Sequence, residues 1–510
     1  MTRRDAFVLL TAFTSAGVYL AFSAVRGSVG FPLDDAWIHQ VYARNLGTNF
    51  EFSFFTGQPS AGSTSPLWSI LLAIGYLLRI DFHLWAYLLG IVFFIASALF
   101  ASRLYQRLFS TSLFTVHAPP KVASSLFLLL EWHMAWSAVS GMEILLFIFF
   151  SLILLERFYA GEKSWVVGLL GGLLVLTRPE GIGLAALVAF GLAFQVWDAD
   201  KRGLPQKIIN YPRLAAWLRR TAPQSIRVLF GYGLGLSTIL VPYVAFNLVT
   251  VGTILPNTFY AKAAEYAVLF EQKNLIARWV EVITTPFIGA QILLLPGLIY
   301  IVVTLAKKQQ WLALIPFAWL IALPTLYALR LPVTYQHGRY EMPIIPFIVI
   351  YGIWGTAELF KRLKSWVIRT AWGFSIAIVL IIFWFLGAAQ YATDVAIINC
   401  EMVGTAKWIG ANAPADAVVA AHDIGALGYY YNRPFIDLAG LATPEVIPFI
   451  RDEGRLRDFL FSRHATFVVV FPDWYSILDS DPRFVPAYQT DCAATRNAGE
   501  KNMIVYRIVR

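Results

Sequence analysis

Long apolar runs alternate with short polar segments along most of the chain, which is typical of a membrane protein with many spanning helices. The first run, 6–25, is too long for a signal-peptide core and precedes no convincing cleavage site, so we expect it to be retained. Several runs are shorter than the roughly 20 residues that a perpendicular span needs. Eleven runs are candidate spans, near residues 6–25, 84–101, 122–139, 143–158, 165–177, 181–197, 228–250, 286–304, 311–329, 343–358 and 370–389.

A further apolar stretch, 66–78, is short and follows a turn-rich segment, 57–65. If it does not cross and the N-terminus is cytoplasmic, twenty of the forty Lys and Arg residues lie in inner loops and nine in outer loops. That bias agrees with the positive-inside rule, whereas a crossing at 66–78 would move the basic loop 198–227 outside. We therefore predict about eleven spans, a re-entrant or surface-lying helix at 66–78, a cytoplasmic N-terminus and an extracytoplasmic C-terminus.

Composition agrees with this topology. Of the 510 residues, 58% are hydrophobic and only 14% are charged, with a mean hydropathy of +0.63. These values exclude an ordinary soluble protein and make the lipid bilayer a partner. The net charge of +9 does not indicate nucleic-acid binding, because the basic residues sort by loop, and we expect no nucleic-acid partner.

The pattern changes after residue 390. Short apolar runs at 418–421, 434–437 and 465–471 alternate with helical patterns such as 394–411, which predicts a small α/β domain. We predict a transmembrane domain over 1–390 and an extracytoplasmic α/β domain over 391–510. Both cysteines, Cys400 and Cys492, lie in the second domain, where a disulfide would persist. From the sequence alone, the two cysteines are compatible with a disulfide and with two unpaired thiols.

Two adjacent acids, Asp34 and Asp35, follow the first span. They begin a helical pattern whose apolar positions are 37, 38, 41, 42 and 46. A helix N-terminus favours negative charge, and an amphipathic helix here would lie on the membrane surface and hold both acids at headgroup level. The structural alternative is that one Asp is only an N-cap.

The predicted topology gathers further ionisable and polar residues at span ends on the outer face, which are Glu143, Arg178, Glu180, Asn257, Lys262, His337 and Arg339. Ionisable groups at membrane depth are functional candidates. Each also has a structural alternative: an arginine can anchor at the interface, Glu143 or Glu180 can pair with such an arginine, and Lys262 can be an exposed loop residue. Together they predict an outward cavity that holds carboxylates and cations.

Such a cavity suits transfer of a sugar from a lipid phosphate. Cations neutralise the phosphate, and a carboxylate removes the proton from an attacking hydroxyl. Because a screened lipid phosphate is a good leaving group, one basic carboxylate is enough for direct displacement with inversion. Outside the membrane no cytosolic nucleotide sugar is accessible, so the donor is expected to be lipid-linked.

Several motifs carry a family resemblance. The segments 33–38, 42–46 and 62–68 resemble the first outer loop of GT-C glycosyltransferases, which are polytopic enzymes that use polyprenyl-phosphate sugars. Further similarity is to the bacterial branch that resembles mycobacterial cell-wall arabinofuranosyltransferases. It lies in 140–143, 178–181, 256–262, 339–343, 423–430 and 436–441.

The resemblance implies that Asp34 is the catalytic base and that Asp35 supports it or binds a divalent cation. It also implies a donor phosphate held by cations, for which the candidates are Arg178, Lys262 and Arg339. Glu143, Glu180, Asn257 and His337 are expected to support this site.

The expected function is that of an inverting glycosyltransferase in a bacterial-type plasma membrane. It would move a sugar from a polyprenyl-phosphate donor to an envelope glycan, lipid or protein at the outer face. The alternatives are a secondary transporter or flippase of an envelope precursor, and a non-catalytic scaffold. Transporters often show inverted repeats and charges at the membrane midplane; this sequence shows no internal repeat, and its ionisable residues gather on one side.

Overall fold

The computed structural model describes residues 3–111, 122–201 and 224–509, and these residues are mainly helical. The described α-helices of the membrane part are α1 (Arg3–Val25), α2 (Asp34–Asn49), α3 (Pro66–Leu77), α4 (Phe82–Thr111), α5 (Val122–Leu130), α6 (Trp132–Ala138), α7 (Ile144–Tyr159), α8 (Ser164–Thr177), α9 (Gly181–Lys201), α10 (Gln224–Val251), α11 (Asn257–Glu265), α12 (Val268–Gln272), α13 (Leu275–Thr284), α14 (Leu295–Lys307), α15 (Ile315–Arg330), α16 (Ile345–Arg362) and α17 (Trp366–Ile398).

The polytopic helical architecture predicted from the hydrophobic pattern is confirmed. Helix occupies each predicted span, and seven helical stretches among the described residues are long and apolar enough to cross a membrane. Two of these runs are not continuous helix. The 122–139 run breaks at Glu131, whose side chain caps α6 by accepting from the Met134 N–H at 2.9 Å. The 286–304 run breaks at Ile288 and Gly289, between two short 3-10 helices. The number of crossings and their direction remain predictions, and most of the basic 198–227 loop lies outside the described residues.

Helices α2 and α3 both form in the first predicted outer loop. Helix α3 exposes one apolar edge at Ile70, Ile74 and Leu77, as a helix that contacts lipid would. Helix α2 differs from the expected surface helix, because its polar residues are buried as well as its apolar ones. The reason is that the C-terminal domain covers it: Arg44 donates to the backbone carbonyl of Tyr429 at 2.7 Å.

The C-terminal part contains a five-stranded mixed sheet, as the alternating pattern predicted. Strands β1 (Ser53–Phe55) and β2 (Gln58–Pro59) form a separate hairpin in the first loop. The strands of the five-stranded sheet are β3 (Val419–Ala421), β4 (Ile436–Asp437), β5 (Phe467–Val470), β6 (Phe484–Gln489) and β7 (Ile504–Ile508), in the order β4-β3-β5-β7-β6. Strands β4, β3 and β5 are parallel, and β7 pairs antiparallel with β5 and β6. The helices around the sheet are α18 (Gly404–Asn412), α19 (Gly425–Tyr430), α20 (Glu453–Ser462), α21 (Ser476–Ser480) and α22 (Ala493–Asn497).

The membrane part and the sheet are joined by continuous helix. Helix α17 passes the predicted boundary at 390/391 and continues through a π-helical turn, Asn399–Val403, into α18. The sheet domain has its own apolar core, which includes Leu438, Leu456 and Val468. The division at 390/391 itself remains a prediction.

Candidate active site

A cavity of about 440 Å³ lies between α2, α11 and the C-terminal domain. Its volume is within the range of ligand-binding pockets, about 300–1,000 Å³. It is lined by four acids and three cations, which are Asp34, Asp35, Glu265, Asp423, Lys262, Arg339 and Arg451. The paired carboxylates predicted from the first loop therefore share one cavity with two of the three cations predicted to bind a phosphate.

Asp34 is the first residue of α2, and its carboxylate is buried against the C-terminal domain. Its two oxygens accept from the backbone N–H groups of Gly425 at 2.6 Å and Ala426 at 2.8 Å. Burial raises the pKa of Asp34 to about 6, although both N–H bonds oppose this shift and the neighbouring Asp35 adds to it. Asp34 is therefore a more basic carboxylate than an exposed aspartate.

Asp35 has a different environment. It forms an ion pair with Arg339, and its Oδ2 lies 3.6 Å from Nζ of Lys262. Burial favours the neutral acid, but Arg339 and Lys262 outweigh it and hold the pKa of Asp35 well below its usual range. Asp35 is therefore the counter-ion of the two cations, and Asp34 is the carboxylate without a cationic partner among the described residues.

Arg339 has unused hydrogen-bonding capacity. Its Nη2 contacts Asp35 and the Tyr340 hydroxyl, whereas its buried Nε and Nη1 have no hydrogen-bond partner among the described residues. The preceding turn reaches this position through three successive left-handed residues, Gln336, His337 and Gly338, with φ of 54°, 62° and 65°. Such conformations cost energy for residues other than glycine and cluster at functional sites.

Tyr340 packs at the centre of the cations. Its ring centroid lies 4.9 Å from the guanidinium carbon of Arg339, 5.0 Å from that of Arg178 and 5.6 Å from Nζ of Lys262. Lys262 also donates to its hydroxyl at 2.9 Å. Although burial disfavours the charged amine, Asp35 and Tyr340 outweigh this effect and raise the pKa of Lys262 above its ordinary value. Lys262 therefore stays cationic.

Arg178 lies on the far side of Tyr340, in a separate buried network. It donates to Glu143 at 3.2 Å, to Glu180 at 2.5 Å and to the Tyr327 hydroxyl at 2.9 Å. Glu143 also lies 3.2 Å from Nε2 of His39. Each of the three guanidinium nitrogens of Arg178 thus has a hydrogen-bond partner, and Arg178 does not line the cavity. This corresponds to the structural alternative for Glu143 and Glu180 rather than to phosphate binding.

Two other predicted site residues, Asn257 and His337, do not line this cavity. Asn257 begins α11 and joins it to the first loop, because its backbone N–H donates to the Ala61 carbonyl at 3.0 Å. His337 lies 2.7 Å from Asp394, which also accepts from the Trp136 indole at 2.9 Å. His337 and Asp394 line a second cavity of about 240 Å³.

Neither metal-binding candidate fits a divalent cation well. Asp35 is surrounded by Arg339 and Lys262, whose charges repel a metal ion. Cys400, Glu401 and Cys492 lie within 4.8 Å of one another as free thiols and a carboxylate. Both oxygens of Glu401 are, however, engaged by neighbouring donors, which are Thr490, Thr495, Asn502 and the Met503 N–H.

Several site residues had no role assigned from the sequence. Asp423 lines the main cavity, and its Oδ2 has no hydrogen-bond partner among the described residues. Glu341 is fully buried, and neither of its carboxylate oxygens has such a partner there. The one sequence feature that pointed to Asp423 and Glu341 was their position inside the motifs at 423–430 and 339–343. The spacing of residues does not show which groups each side chain contacts in the fold, so no role was assigned to either.

Comparison with known proteins supports the fold. Residues 386–506 match a family model described as a domain of unknown function (DUF8728), and no curated protein matches the chain. ArnT from Cupriavidus metallidurans, solved with undecaprenyl phosphate, is similar with a TM-score of 0.54 and 13% identity, over 99% of this chain and 98% of that one.

The oligosaccharyltransferase AglB from the archaeon Archaeoglobus fulgidus is similar too. In complex with an inhibitory peptide and a dolichol-phosphate it has a TM-score of 0.58 and 12% identity, over 98% of this chain and 76% of that one. Its complex with Zn and sulfate has a TM-score of 0.56 and 12% identity, over 94% and 71%. The chain thus has the GT-C-like fold of ArnT and AglB, with a small C-terminal sheet domain, as expected from the sequence.

Proposed function

We propose that this chain is an inverting glycosyltransferase that moves a sugar from a polyprenyl-phosphate donor to a cell-envelope acceptor at the outer face of the membrane. The observation on which we rely most is the arrangement of Asp34, Asp35 and Arg339 in one cavity. It combines a basic carboxylate, the buried guanidinium of Arg339 with its free donors, and the partly buried Lys262 beside Asp35. Similar folds are solved with undecaprenyl phosphate in ArnT and with a dolichol-phosphate in AglB, so the fold accommodates such lipids.

Arg339 and Lys262 are the groups that we assign to the donor phosphate. Both line the cavity, and the unpartnered Nε and Nη1 of Arg339 are suited to the bidentate binding that phosphate favours. Asp35 holds the two cations together before the donor binds. Arg178 does not line the cavity, and each of its guanidinium nitrogens already has a hydrogen-bond partner, so we assign it to the support of Tyr340 together with Glu143 and Glu180.

Asp34 is the group that we assign as general base. Each carboxylate oxygen has a second acceptor position besides the one used by Gly425 or Ala426. Asp34 is thus able to accept a proton while its orientation stays fixed. With a pKa of about 6, Asp34 is ionised at neutral pH and is a stronger base than an ordinary aspartate.

The proposed step is a single displacement. The acceptor hydroxyl oxygen forms a bond to the anomeric carbon, and the bond from that carbon to the phosphate oxygen breaks, so the polyprenyl phosphate leaves with the electron pair. The hydroxyl proton passes to Asp34, which later releases it to water. The anomeric configuration inverts. In this proposal Arg339 and Lys262 neutralise the charge of the phosphate, and no metal ion bound to Asp35 is needed for this.

A transfer assay tests this function. Membranes that contain the chain are supplied with a panel of polyprenyl-phosphate sugars and an envelope extract. The expected result is release of free polyprenyl phosphate together with an inverted glycosidic linkage. Movement of the intact lipid-linked sugar across the membrane without bond cleavage would indicate the flippase alternative. The proposal would be contradicted if no donor in the panel is bound or cleaved.

A further inference from the structure

The cavity has a second wall, opposite the paired aspartates, that the proposed displacement does not use. The C-terminal domain supplies His422, Asp423, Arg451 and Trp474, and α11 supplies Glu265. A smaller cavity of about 110 Å³ shares four of these residues, which are Glu265, His422, Arg451 and Trp474. The space beside Asp34 therefore extends along the C-terminal domain.

Trp474 is an aromatic residue of this wall. It is half exposed, at 50%, although it packs at 5.3 Å between ring centroids against His422 and at 4.9 Å against Phe471. These contacts fix the indole while leaving part of its surface open to the cavity. A held and partly exposed aromatic ring is suited to packing against the apolar face of a sugar ring.

The polar groups beside Trp474 suit a ligand with many hydroxyls. His422 lies 2.7 Å from the Tyr475 hydroxyl through Nδ1 and 3.5 Å from Glu265 through Nε2, so its ring is held in place. Asp423 has a buried oxygen without a hydrogen-bond partner among the described residues. Carboxylates accept from hydroxyl groups, and the guanidinium of Arg451 donates to their oxygens.

Charge favours a neutral ligand over an anionic one. Glu265 and Asp423 lie in the same cavity as Asp34 and Asp35, so an anion in this part of the cavity would lie close to several carboxyl groups. Further negative charge would be repelled here, whereas a neutral sugar supplies the donors that these oxygens lack. The phosphate-binding cations lie toward Tyr340, so the donor and this second ligand would occupy different walls.

We infer that the wall formed by Trp474, Asp423, His422 and Glu265 is an acceptor subsite that binds a neutral, polyhydroxylated sugar unit and directs its hydroxyl toward Asp34. This inference rests on the proposed function for the role of acceptor, but the binding of a neutral sugar can be measured without any transfer. It narrows the acceptor to a glycan or the glycan part of a glycolipid.

The test is binding of the full-length chain in nanodiscs to an array of neutral oligosaccharides, short peptides and phospholipids. Wild type is expected to retain at least one oligosaccharide. Trp474→Ala should lower that affinity about tenfold, which corresponds to about 1.4 kcal/mol, and Trp474→Phe should restore most of it because it keeps an aromatic ring. Asp423→Asn should also weaken binding. The matched controls are Trp311→Ala, whose indole is 54% exposed elsewhere, and Asp458→Asn, whose side chain is 70% exposed; neither should change binding.

The outcomes separate this inference from the proposed function. Retention of no oligosaccharide, retention unaffected by Trp474→Ala, or retention of peptides or lipids alone would overturn the subsite. Binding of undecaprenyl phosphate is measured in the same samples. If it persists while oligosaccharide binding is absent, the subsite fails and the donor site stands. If oligosaccharides bind but no lipid-phosphate donor binds or reacts, the proposed function fails, and the wall is a sugar-binding site without the role of acceptor subsite.

Discussion

The carboxylate of Asp34 accepts the backbone N–H of Gly425, a residue 391 positions later in the chain, at 2.6 Å. This hydrogen bond joins the start of the first predicted outer loop to the C-terminal domain. The same domain therefore fixes the orientation of the proposed base and forms the opposite wall of its cavity. The position of Asp34 thus depends on how the domain docks as well as on α2.

Gly425→Ala tests this dependence. An added Cβ would lie 2.0 Å from the backbone oxygen of Asp34 and 2.8 Å from its Oδ2, so one of the two segments has to move. We expect transfer to fall about a hundredfold, since a displacement of about 1 Å at a reacting group has such an effect. Thermal unfolding should show destabilisation of about 1–3 kcal/mol.

The control for this substitution is Gly454→Ala in α20, where the nearest atom, Oδ1 of Asp452, is 3.4 Å from the added Cβ. It should leave both transfer and stability near the wild-type values. Full transfer by Gly425→Ala would mean that Asp34 does not need this contact.

The pH dependence of transfer follows from the raised pKa of Asp34. Its carboxylate has a pKa of about 6 and acts as a base only when ionised, so activity is present above this pH and lost as pH falls through it. Between pH 7 and pH 5 we expect kcat/KM to fall about tenfold. Donor binding is measured over the same range, and activity that stays constant down to pH 4.5 would argue against Asp34 as the base.

Arg339→Lys tests the donor phosphate site. The substitution keeps a positive charge beside Asp35 but removes the planar fork, including the unpartnered Nε and Nη1. We expect the Kd for undecaprenyl phosphate to rise about tenfold, since a bidentate pair is stronger than a point charge. Arg463→Lys, at a side chain that is 52% exposed, is the control, and equal effects of the two substitutions would remove Arg339 from the site.

Chelation distinguishes the two possible roles of Asp35, which are counter-ion of Arg339 and Lys262 and ligand of a divalent cation. Because Asp35 is already paired with Arg339 and Lys262, we expect transfer to persist in EDTA at the rate measured without it. An activity that is lost in EDTA and restored by a divalent cation would instead make Asp35 or a neighbouring carboxylate a metal ligand.

The sequence predicted the parts of the fold that depend on local pattern. Apolar runs predicted helices at every proposed span, and the runs at 418–421, 434–437 and 465–471 predicted strands β3, β4 and β5. Strand β6 was missed because its residues are mostly exposed and lack a continuous apolar run. Strand β7 was also missed, although four of its five residues are buried. The break at Glu131 was missed because an N-cap inside an apolar run is hard to distinguish from a buried polar residue.

The site was predicted in part. Hydropathy and loop position grouped Asp34, Asp35, Lys262 and Arg339 on one side of the membrane, and the structure brings these four to one cavity. Arg178 has the same sequence character as Arg339, yet each of its guanidinium nitrogens is hydrogen-bonded to Glu143, Glu180 or Tyr327. Such pairings join residues that are far apart in the chain, so residue type and spacing do not reveal which cation is left free.

The most direct test of the proposed mechanism is sugar transfer by Asp34→Asn. The amide keeps the size of the side chain but cannot take up a proton, so we predict a fall of about a thousandfold in kcat. Binding of undecaprenyl phosphate and the thermal unfolding of the protein are measured alongside, because the amide also weakens the contact with Gly425. Asp458→Asn is the control. Transfer by a folded Asp34→Asn protein at the wild-type rate would contradict the assignment of Asp34 as the base.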